Sequence, residues 1–325
     1  MPATIAAITT AAEPASARAL ANLARHADAA RGAYARNTER ALRADSAAFT
    51  GWCSDAGRTP LPASPETVAR FIDAMGEAKV PATVRRYVSS IAAFHRAADV
   101  PNPCEAPEVK LALKRLHRAR GRAQAQAAPL NRPLLERLLA AGGTTLRDRR
   151  NRALLAVAYD TLCRRSELVA LQATDLQPGA DGTGTIAIRR SKTDAEGEGM
   201  MRFLAADTMR HVQAWQRAAG IAEDALFRAV LKGGRVGGAL NACEVARVYK
   251  EMARAAGLSA EDAAKVSGHS TRVGAAQDMV KLGIELPAVM QAGGWKSPEM
   301  VARYTARLDA RRSGAAKLAV LQNRA

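Results

Sequence analysis

Aromatic side chains are scarce in this sequence, since Phe, Tyr and Trp make up 4% of its 325 residues. Proteins that bind single-stranded DNA or RNA usually stack the bases on such side chains, so the composition disfavours that class. The four cysteines form no C-x-x-C pair: Cys53, Cys104, Cys163 and Cys243. This spacing disfavours a zinc site or a disulfide framework and is typical of reduced thiols in a cytoplasmic protein. No stretch is long and apolar enough to span a bilayer, so we expect no membrane partner.

Acidic residues are too few to balance the basic ones, because 31 Asp and Glu face 48 Lys and Arg and leave a net charge of +17. The excess is spread along the chain, with +7 over residues 1–127 and +10 over residues 128–325. A basic surface on both halves favours a polyanion held from two sides, and the scarcity of aromatics favours duplex DNA. The alternative is an arginine-rich composition without such a partner.

One window, Val109 to Leu135, contains no acidic residue. Its basic residues are Lys110, Lys114, Arg115, Arg118, Arg120, Arg122 and Arg132. Within the window, residues 121–133 are rich in Ala, Gln and Pro, which predicts an extended linker. A basic linker would follow a phosphate backbone, whereas the alternative is a solvated surface run.

The pattern of apolar residues differs on the two sides of this linker. Residues 18–120 show helical periodicity only, with helix starts such as Ser64-Pro65, where a serine cap precedes a proline. Residues 134–312 add two short strands to their helices, Thr185–Arg190 and Met200–Leu204. We therefore predict a mainly α fold with a small β-hairpin, in two domains, an all-helical one followed by a mixed α+β one that is mostly helical.

The two ends of the chain are expected to differ, with a mobile segment at the N-terminus and a helix at the C-terminus. Residues 1–17 are predicted to form a mobile tail without the basic and apolar segments of a secretion signal. Residues 313–325 are predicted to form a helix with a small apolar face, which packs either within the chain or on another copy.

Four residues in the second half combine into a pattern with chemical meaning. His269 and Arg272 stand three residues apart and share one face of a helix. A guanidinium offers a planar fork of donors to phosphate oxygens, and an imidazole can move a proton near neutral pH. Trp295 follows, and Tyr304 falls inside a helix that Ser297-Pro298 begins. The set fits a phosphodiester held while a tyrosine attacks it, although each residue alone is more often structural.

Five short motifs follow one another in the sequence: Thr161–Leu168 (TLCRRSEL), Arg190–Thr193 (RSKT), Gly268–Met279 (GHSTRVGAAQDM), Ile284–Trp295 (IELPAVMQAGGW), and Tyr304 with Leu308-Asp309. In order and spacing they resemble the tyrosine recombinase (phage integrase) family. The strong similarity covers residues 150–175 and 265–315, and the remainder is similar in layout more than in letters. A lone H-x-x-R pattern is weak evidence, whereas five motifs in order are specific.

The resemblance implies that Tyr304 attacks the scissile phosphate and forms a 3′-phosphotyrosyl bond. It implies that Arg164 and Arg272 clamp the non-bridging oxygens, where preorganised donors stabilise the charge of the transition state. Trp295 would add a third contact through its indole N–H.

The remaining catalytic residues implied by the resemblance handle protons. His269 would hydrogen-bond the phosphate and help take the tyrosine proton, and Lys192 would protonate the leaving 5′ oxygen as general acid. Glu167 would orient the imidazole. With these groups the family chemistry needs neither a metal nor a nucleotide cofactor.

The same resemblance implies a monomer that assembles as a homotetramer on duplex DNA with an inverted-repeat target site, in the cytoplasm at the nucleoid. A rival hypothesis is a type IB topoisomerase-like enzyme, which shares the phosphotyrosine chemistry but pairs no sites. A rival of another class is a DNA-binding architectural protein without catalysis, against which the complete catalytic set argues.

Target recognition is expected to depart from the relatives. A helix near Leu240–Ala256 would enter the major groove, but Cys243 and Ala246 stand where base-reading residues are expected, and neither is a bidentate reader. Arg247 and Lys250 are the nearby substitutes. The candidate DNA-contacting residues are Arg85, Arg86, Lys114, Arg118, Arg120, Arg122, Arg247 and Lys250.

Overall fold

The computed structural model describes residues 14–122, 126–191, 198–305 and 313–324. The chain divides into two compact units, Met1–Ala125 and Gln126–Ala325. Over its described residues the first unit contains helices and no strands, and the second adds two small antiparallel sheets. The predicted mainly α fold is thereby confirmed. Among the helices of the described residues, none has the length and apolar character that crossing a bilayer requires.

The helices described in the first unit are α1 (Pro14–Ala29), α2 (Arg36–Asp55), α3 (Pro65–Ala78), α4 (Pro81–Ala97) and α5 (Pro107–Arg120). Helix α3 begins where its cap predicts, because Ser64 Oγ accepts the Thr67 N–H at 3.2 Å. The core centres on Phe71, whose ring centroid lies 5.0 Å from that of Phe49 and 5.7 Å from that of Tyr87. These aromatic contacts hold α2, α3 and α4 together.

Two arginines that the sequence assigned to DNA stabilise the first unit itself. Arg86 Nη1 lies 2.5 Å from the fully buried carboxylate of Asp45. Arg120 Nη1 donates to the Gly76 carbonyl at 2.5 Å, near the end of α3. Since a buried charge needs a partner, Arg86 is a structural cation for Asp45. Any contact of these two side chains with DNA stays a prediction.

The helices described in the second unit are α6 (Arg132–Ala140), α7 (Leu146–Thr161), α8 (Arg165–Ala170), α9 (Ala206–Ala219), α10 (Glu244–Ala255), α11 (Ala260–Lys265), α12 (Ser270–Lys281), α13 (Leu286–Gly293), α14 (Pro298–Thr305) and α15 (Gly314–Leu321). Helix α7 is the central one and packs against α9 and α12. Its Leu154 and Leu155 are fully buried, as is Trp215 of α9. The Trp215 indole N–H donates to the Leu226 carbonyl at 2.8 Å.

The strands are β1 (Leu176–Pro178), β2 (Gly184–Ile188) and β3 (Met200–Leu204) in one sheet, and β4 (Arg228–Val230) with β5 (Val236–Ala239) in the other. Ile186 of β2 lies opposite Leu176 on one side and Arg202 on the other. Strand β2 ends two residues before its predicted end, where Arg189 Nε forms an ion pair with Asp175 at 2.5 Å. The sequence analysis missed β1, β4 and β5, because strands this short carry too little alternation to detect.

The chain differs from prediction around the tail and the linker. Helix α1 begins at Pro14, inside the predicted tail of residues 1–17. Over the predicted linker of residues 121–133, Leu130 is fully buried in the core of the second unit, and α6 begins at Arg132. Backbone N–H groups of Ala128 and Leu130 donate to carbonyls of the second unit at 3.1 and 3.0 Å. The part of the linker from residue 126 is therefore built into the second unit.

Gly274 of α12 lies in close contact with the backbone of the segment that contains Leu130. A Cβ placed on Gly274 would overlap the carbonyl of Leu130. Glycine inside a helix costs about 1 kcal/mol relative to alanine, so its presence here reflects the close approach of the two backbones.

Gly274→Ala is therefore expected to lower the free energy of unfolding by about 1–3 kcal/mol, the usual cost of overpacking. Gly51→Ala is the matched control, because Gly51 lies in α2 with open space around it. That control should be neutral or stabilising, by at most about 1 kcal/mol of helix propensity. Denaturant unfolding of both variants checks the sign, and equal effects would contradict the account.

Candidate active site

Arg164 lies at the junction of α7 and α8. Leu162 adopts a left-handed conformation (φ 51°), which ends α7 and lets Arg164 form the N-cap of α8. Glu167 accepts the Arg164 backbone N–H at 2.8 Å and its Nη1 at 2.7 Å. The sequence analysis expected Glu167 to orient the imidazole of His269. Within the described residues, the hydrogen bonds of Glu167 go to Arg164 instead. Glu167 fixes the guanidinium in place.

Arg272, in the first turn of α12, is almost entirely buried, with 2% of the residue exposed. Its Nη1 donates to the Leu162 carbonyl and its Nη2 to the Gly293 carbonyl at 3.1 Å. Burial lowers the pKa of Arg272, as does the neighbouring Arg164, while Tyr304 opposes the shift. Two carbonyls orient this guanidinium, and among the described residues no carboxylate forms an ion pair with it.

A third guanidinium, missed by the sequence analysis, joins these two. Arg202 of β3 is 7% exposed and lines the same small cavity as Arg164, Arg272 and Glu167. Burial lowers the pKa of Arg202, and the charges of Arg272 and Arg164 lower it further. Three cations around one carboxylate create a strongly positive site, which suits an anion.

Arg202 also has a structural contact, because its Nη1 donates to the Gln291 carbonyl in the last turn of α13. Gly294, which follows α13 with φ +60°, leaves room for the guanidinium. The signal in the sequence was a lone arginine between apolar residues of a predicted strand, since an inward-facing charge there needs a partner.

His269 is the N-cap of α12, one turn before Arg272. The residue is exposed, yet partial desolvation of its ring lowers the pKa of the imidazole. Arg272, Arg165 and Arg164 lower it further by charge, and Glu167 raises it. A neutral imidazole is favoured near pH 7, and it can accept a proton.

Trp295 and Tyr304 form the other side of the site. Their ring centroids lie 5.3 Å apart, and the Arg272 guanidinium carbon lies 5.2 Å from the indole centroid. Trp295 is buried, and its Nε1 has no hydrogen-bond partner within the described part of the chain. A Cβ on Gly293 would overlap the indole, so only glycine allows the ring to sit there. The half-buried Tyr304 lies in α14, as predicted.

The structure thus brings together six of the seven predicted catalytic residues: Arg164, Glu167, His269, Arg272, Trp295 and Tyr304. Lys192 lies outside the described residues. Over the described ranges, no cluster of three His, Cys, Asp or Glu side chains is arranged to hold a metal ion.

The predicted DNA-contacting residues are distributed over both units. Arg247 of α10 is paired with Glu244 and Glu251 on its own helix, which offsets its charge. Lys250 of the same helix is half-buried. The exposed candidates of the first unit are Arg85, Arg86, Lys114, Arg118, Arg120 and Arg122. Their contacts with DNA remain a prediction.

The effect of the neighbouring charges on the pKa of His269 can be tested by NMR titration. Arg165→Ala removes one of the cations that lower the pKa of His269, so this pKa should rise toward the ordinary 6.5. Only five histidines are present, and His269→Gln assigns the signal. Arg217→Ala, on the exposed side of α9, should leave it unchanged. A wild-type pKa above 6.5 would contradict the account.

Comparison with known proteins identifies the family of the chain. Residues 130–311 match the model of the phage integrase family. Recombinase cre of Escherichia phage P1 is 28% identical over 86% of each chain. The integrase/recombinase xerD homolog of Selenomonas ruminantium is 30% identical over 82% of this chain and 81% of its own.

Among solved structures, the XerH site-specific recombinase bound to its palindromic difH substrate, in a post-cleavage complex, shares this fold. Its TM-score is 0.64 at 18% identity, over 87% of this chain and 79% of that one. Because the family model matches more than half of the sequence, the chain belongs to the phage integrase family of DNA strand-transfer enzymes.

Proposed function

We propose that this chain is a site-specific recombinase that cuts and rejoins duplex DNA through a covalent bond between a 3′ phosphate and Tyr304. The observation that carries the proposal is that Tyr304 and Arg272 both contact Trp295. The indole centroid lies 5.3 Å from the Tyr304 ring centroid and 5.2 Å from the guanidinium carbon of Arg272. A phenol and a guanidinium fork therefore contact the same indole ring. Similarity to Recombinase cre over 86% of the chain supports the same activity.

In the proposed step, Tyr304 Oη attacks phosphorus and the bond from phosphorus to the 5′ oxygen breaks. The phenol proton moves to His269, and the 5′ oxygen receives a proton from Lys192. A free phenol has a pKa of about 10 and is a weak nucleophile at neutral pH, so a proton acceptor is needed. The lowered pKa of His269 supports this role, because a neutral imidazole has a lone pair available.

The negative charge of the transition state would be met by Arg164 and Arg272. Both guanidiniums are held in advance, one by Glu167 and the other by two carbonyls. Donors that need no reorganisation during the reaction stabilise developing charge most effectively. The buried Trp295 N–H would supply one more donor.

Rejoining would run the step in reverse with the 5′ hydroxyl of a second strand. The phosphotyrosine keeps the energy of the broken bond, so the exchange needs no nucleotide cofactor. We propose that four copies, monomeric when free, exchange strands in pairs on an inverted-repeat site in the cytoplasm. Residues 18–120 would be the core DNA-binding domain and residues 134–312 the catalytic domain.

Helix α15 would link neighbouring copies. Its apolar side chains Leu318, Val320 and Leu321 are 51%, 63% and 81% exposed, respectively. Docking them on another copy would remove this apolar surface from water. A heterologous contact of this kind closes a ring of four.

A covalent-trapping experiment tests the nucleophile. The target duplex is first selected from a randomised pool, and a nick is placed so that the cleaved 5′-hydroxyl fragment diffuses away. Wild type should then accumulate a protein–DNA adduct, whereas Tyr304→Phe should bind the duplex with similar affinity and form none. An adduct in the Phe variant would rule out Tyr304 as nucleophile, and a pool without an enriched site would favour a topoisomerase-like activity.

A further inference from the structure

The backbone carbonyl of Tyr304 accepts hydrogen bonds from two glutamine side chains. Gln277 Nε2 donates to it at 3.0 Å, and Gln126 Nε2 at 3.2 Å. Gln126 Nε2 also donates to the carbonyl of the preceding residue, Arg303, at 3.2 Å. The two amides thus converge on the backbone of the proposed nucleophile.

The contacts to this carbonyl matter because it belongs to the residue that carries the phenol. Helix α14 is described from Pro298 to Thr305, and the two amides donate to the carbonyl of its residue Tyr304 from outside the helix. Side chains that donate to a helix carbonyl from outside constrain where that part of the helix lies. For α14 those groups are Gln126 and Gln277, and the side chain of the contacted residue is the phenol of Tyr304.

Gln277 connects this carbonyl to the residues proposed to bind the phosphate. It is 7% exposed and lies in α12, the helix that His269 caps and that carries Arg272. One rigid helix therefore holds the proposed proton acceptor, a phosphate fork and the tether of the nucleophile. A change in the Gln277 contact alters the distance from Tyr304 to Arg272 without removing either residue.

Gln126 is fixed by its own segment. It is the first residue of the second unit, and two residues later the Ala128 N–H donates to the Lys265 carbonyl at 3.1 Å. The Leu130 N–H donates to the Ser270 carbonyl, at the start of α12, at 3.0 Å. The chain that enters from the first unit is thereby tied to both α12 and α14.

We propose that Gln126 and Gln277 are positioning residues that hold the backbone of α14 at Tyr304 and thereby aim the Tyr304 hydroxyl at the scissile phosphate. This inference rests on the proposed function, because it assumes that Tyr304 is the nucleophile. A misplacement of the attacking atom by a fraction of an ångström is enough to slow an in-line displacement. The clamp acts on the cleavage rate and not on DNA affinity.

Gln277→Glu tests the clamp with almost no change in shape. An ionised carboxylate only accepts hydrogen bonds, so near pH 8 it repels the Tyr304 carbonyl, whereas a protonated carboxyl donates to it. Single-turnover cleavage of the selected nicked duplex should be about tenfold slower than wild type at pH 8. The ratio of the variant rate to the wild-type rate should rise toward one as the pH falls toward 5. The affinity for the duplex should be unchanged.

Three further variants separate the clamp from packing and charge. Gln277→Met fills the same space without a donor, so its cleavage rate relative to wild type should stay low at every pH. Gln126→Ala, at a half-buried position, should also slow cleavage, which keeps the test valid if Gln277→Met fails to fold. Gln216→Glu, in α9 outside the site, is the control for an added charge and should cleave like wild type.

A measurement without DNA separates this inference from the proposed function. In protein labelled with 3-fluorotyrosine, the resonance of Tyr304 is assigned among the five tyrosines by Tyr304→Phe. It should shift or broaden in Gln277→Glu and Gln126→Ala but not in Gln216→Glu. An unchanged resonance, or a Gln277→Glu rate equal to wild type at pH 8, would overturn the clamp. A wild-type protein that forms no adduct would instead overturn the proposed function.

Discussion

The site depends on one buried cation that is oriented without being neutralised. The guanidinium of Arg272 is held by the carbonyls of Leu162 and Gly293, and no carboxylate of the described residues is paired with it. Burying a charge in this way is costly, and an anion that binds beside it recovers part of the cost. Leu162 supplies its carbonyl from a left-handed turn, and Gly293 lets the indole of Trp295 close over the site. The packing of the second unit therefore holds a buried positive charge in place, which would suit the phosphate of the proposed reaction.

Features coded by neighbouring residues could be predicted from the sequence. The cap at Ser64 and the start of α14 at Pro298 follow from local hydrogen bonding and proline geometry. The i,i+3 spacing of His269 and Arg272 predicted a shared helix face, and both lie in the first turn of α12 or at its cap. The mainly helical fold and the family followed from the same local patterns.

Features that depend on distant partners could not be predicted in the same way. The target of Glu167 was predicted as His269 and is Arg164, because the choice depends on how α8 meets α12. Arg202 reached the site through strand pairing and not through any motif. Arg86 was assigned to DNA from its charge alone, whereas the buried carboxylate that it serves, Asp45, lies 41 residues away in the sequence. Net charge identifies the class of partner but does not separate structural cations from binding ones.

The central claim is that DNA becomes covalently joined to one side chain, Tyr304, and peptide mass spectrometry of the adduct tests it most directly. Wild-type protein is incubated with the selected nicked duplex, and the adduct is digested with trypsin and nuclease. The account predicts that the peptide containing Tyr304 carries a nucleotide linked through its 3′ phosphate, with a free 5′ hydroxyl on the released strand. A nucleotide attached to any other residue, or a 5′-phosphate linkage, would contradict it.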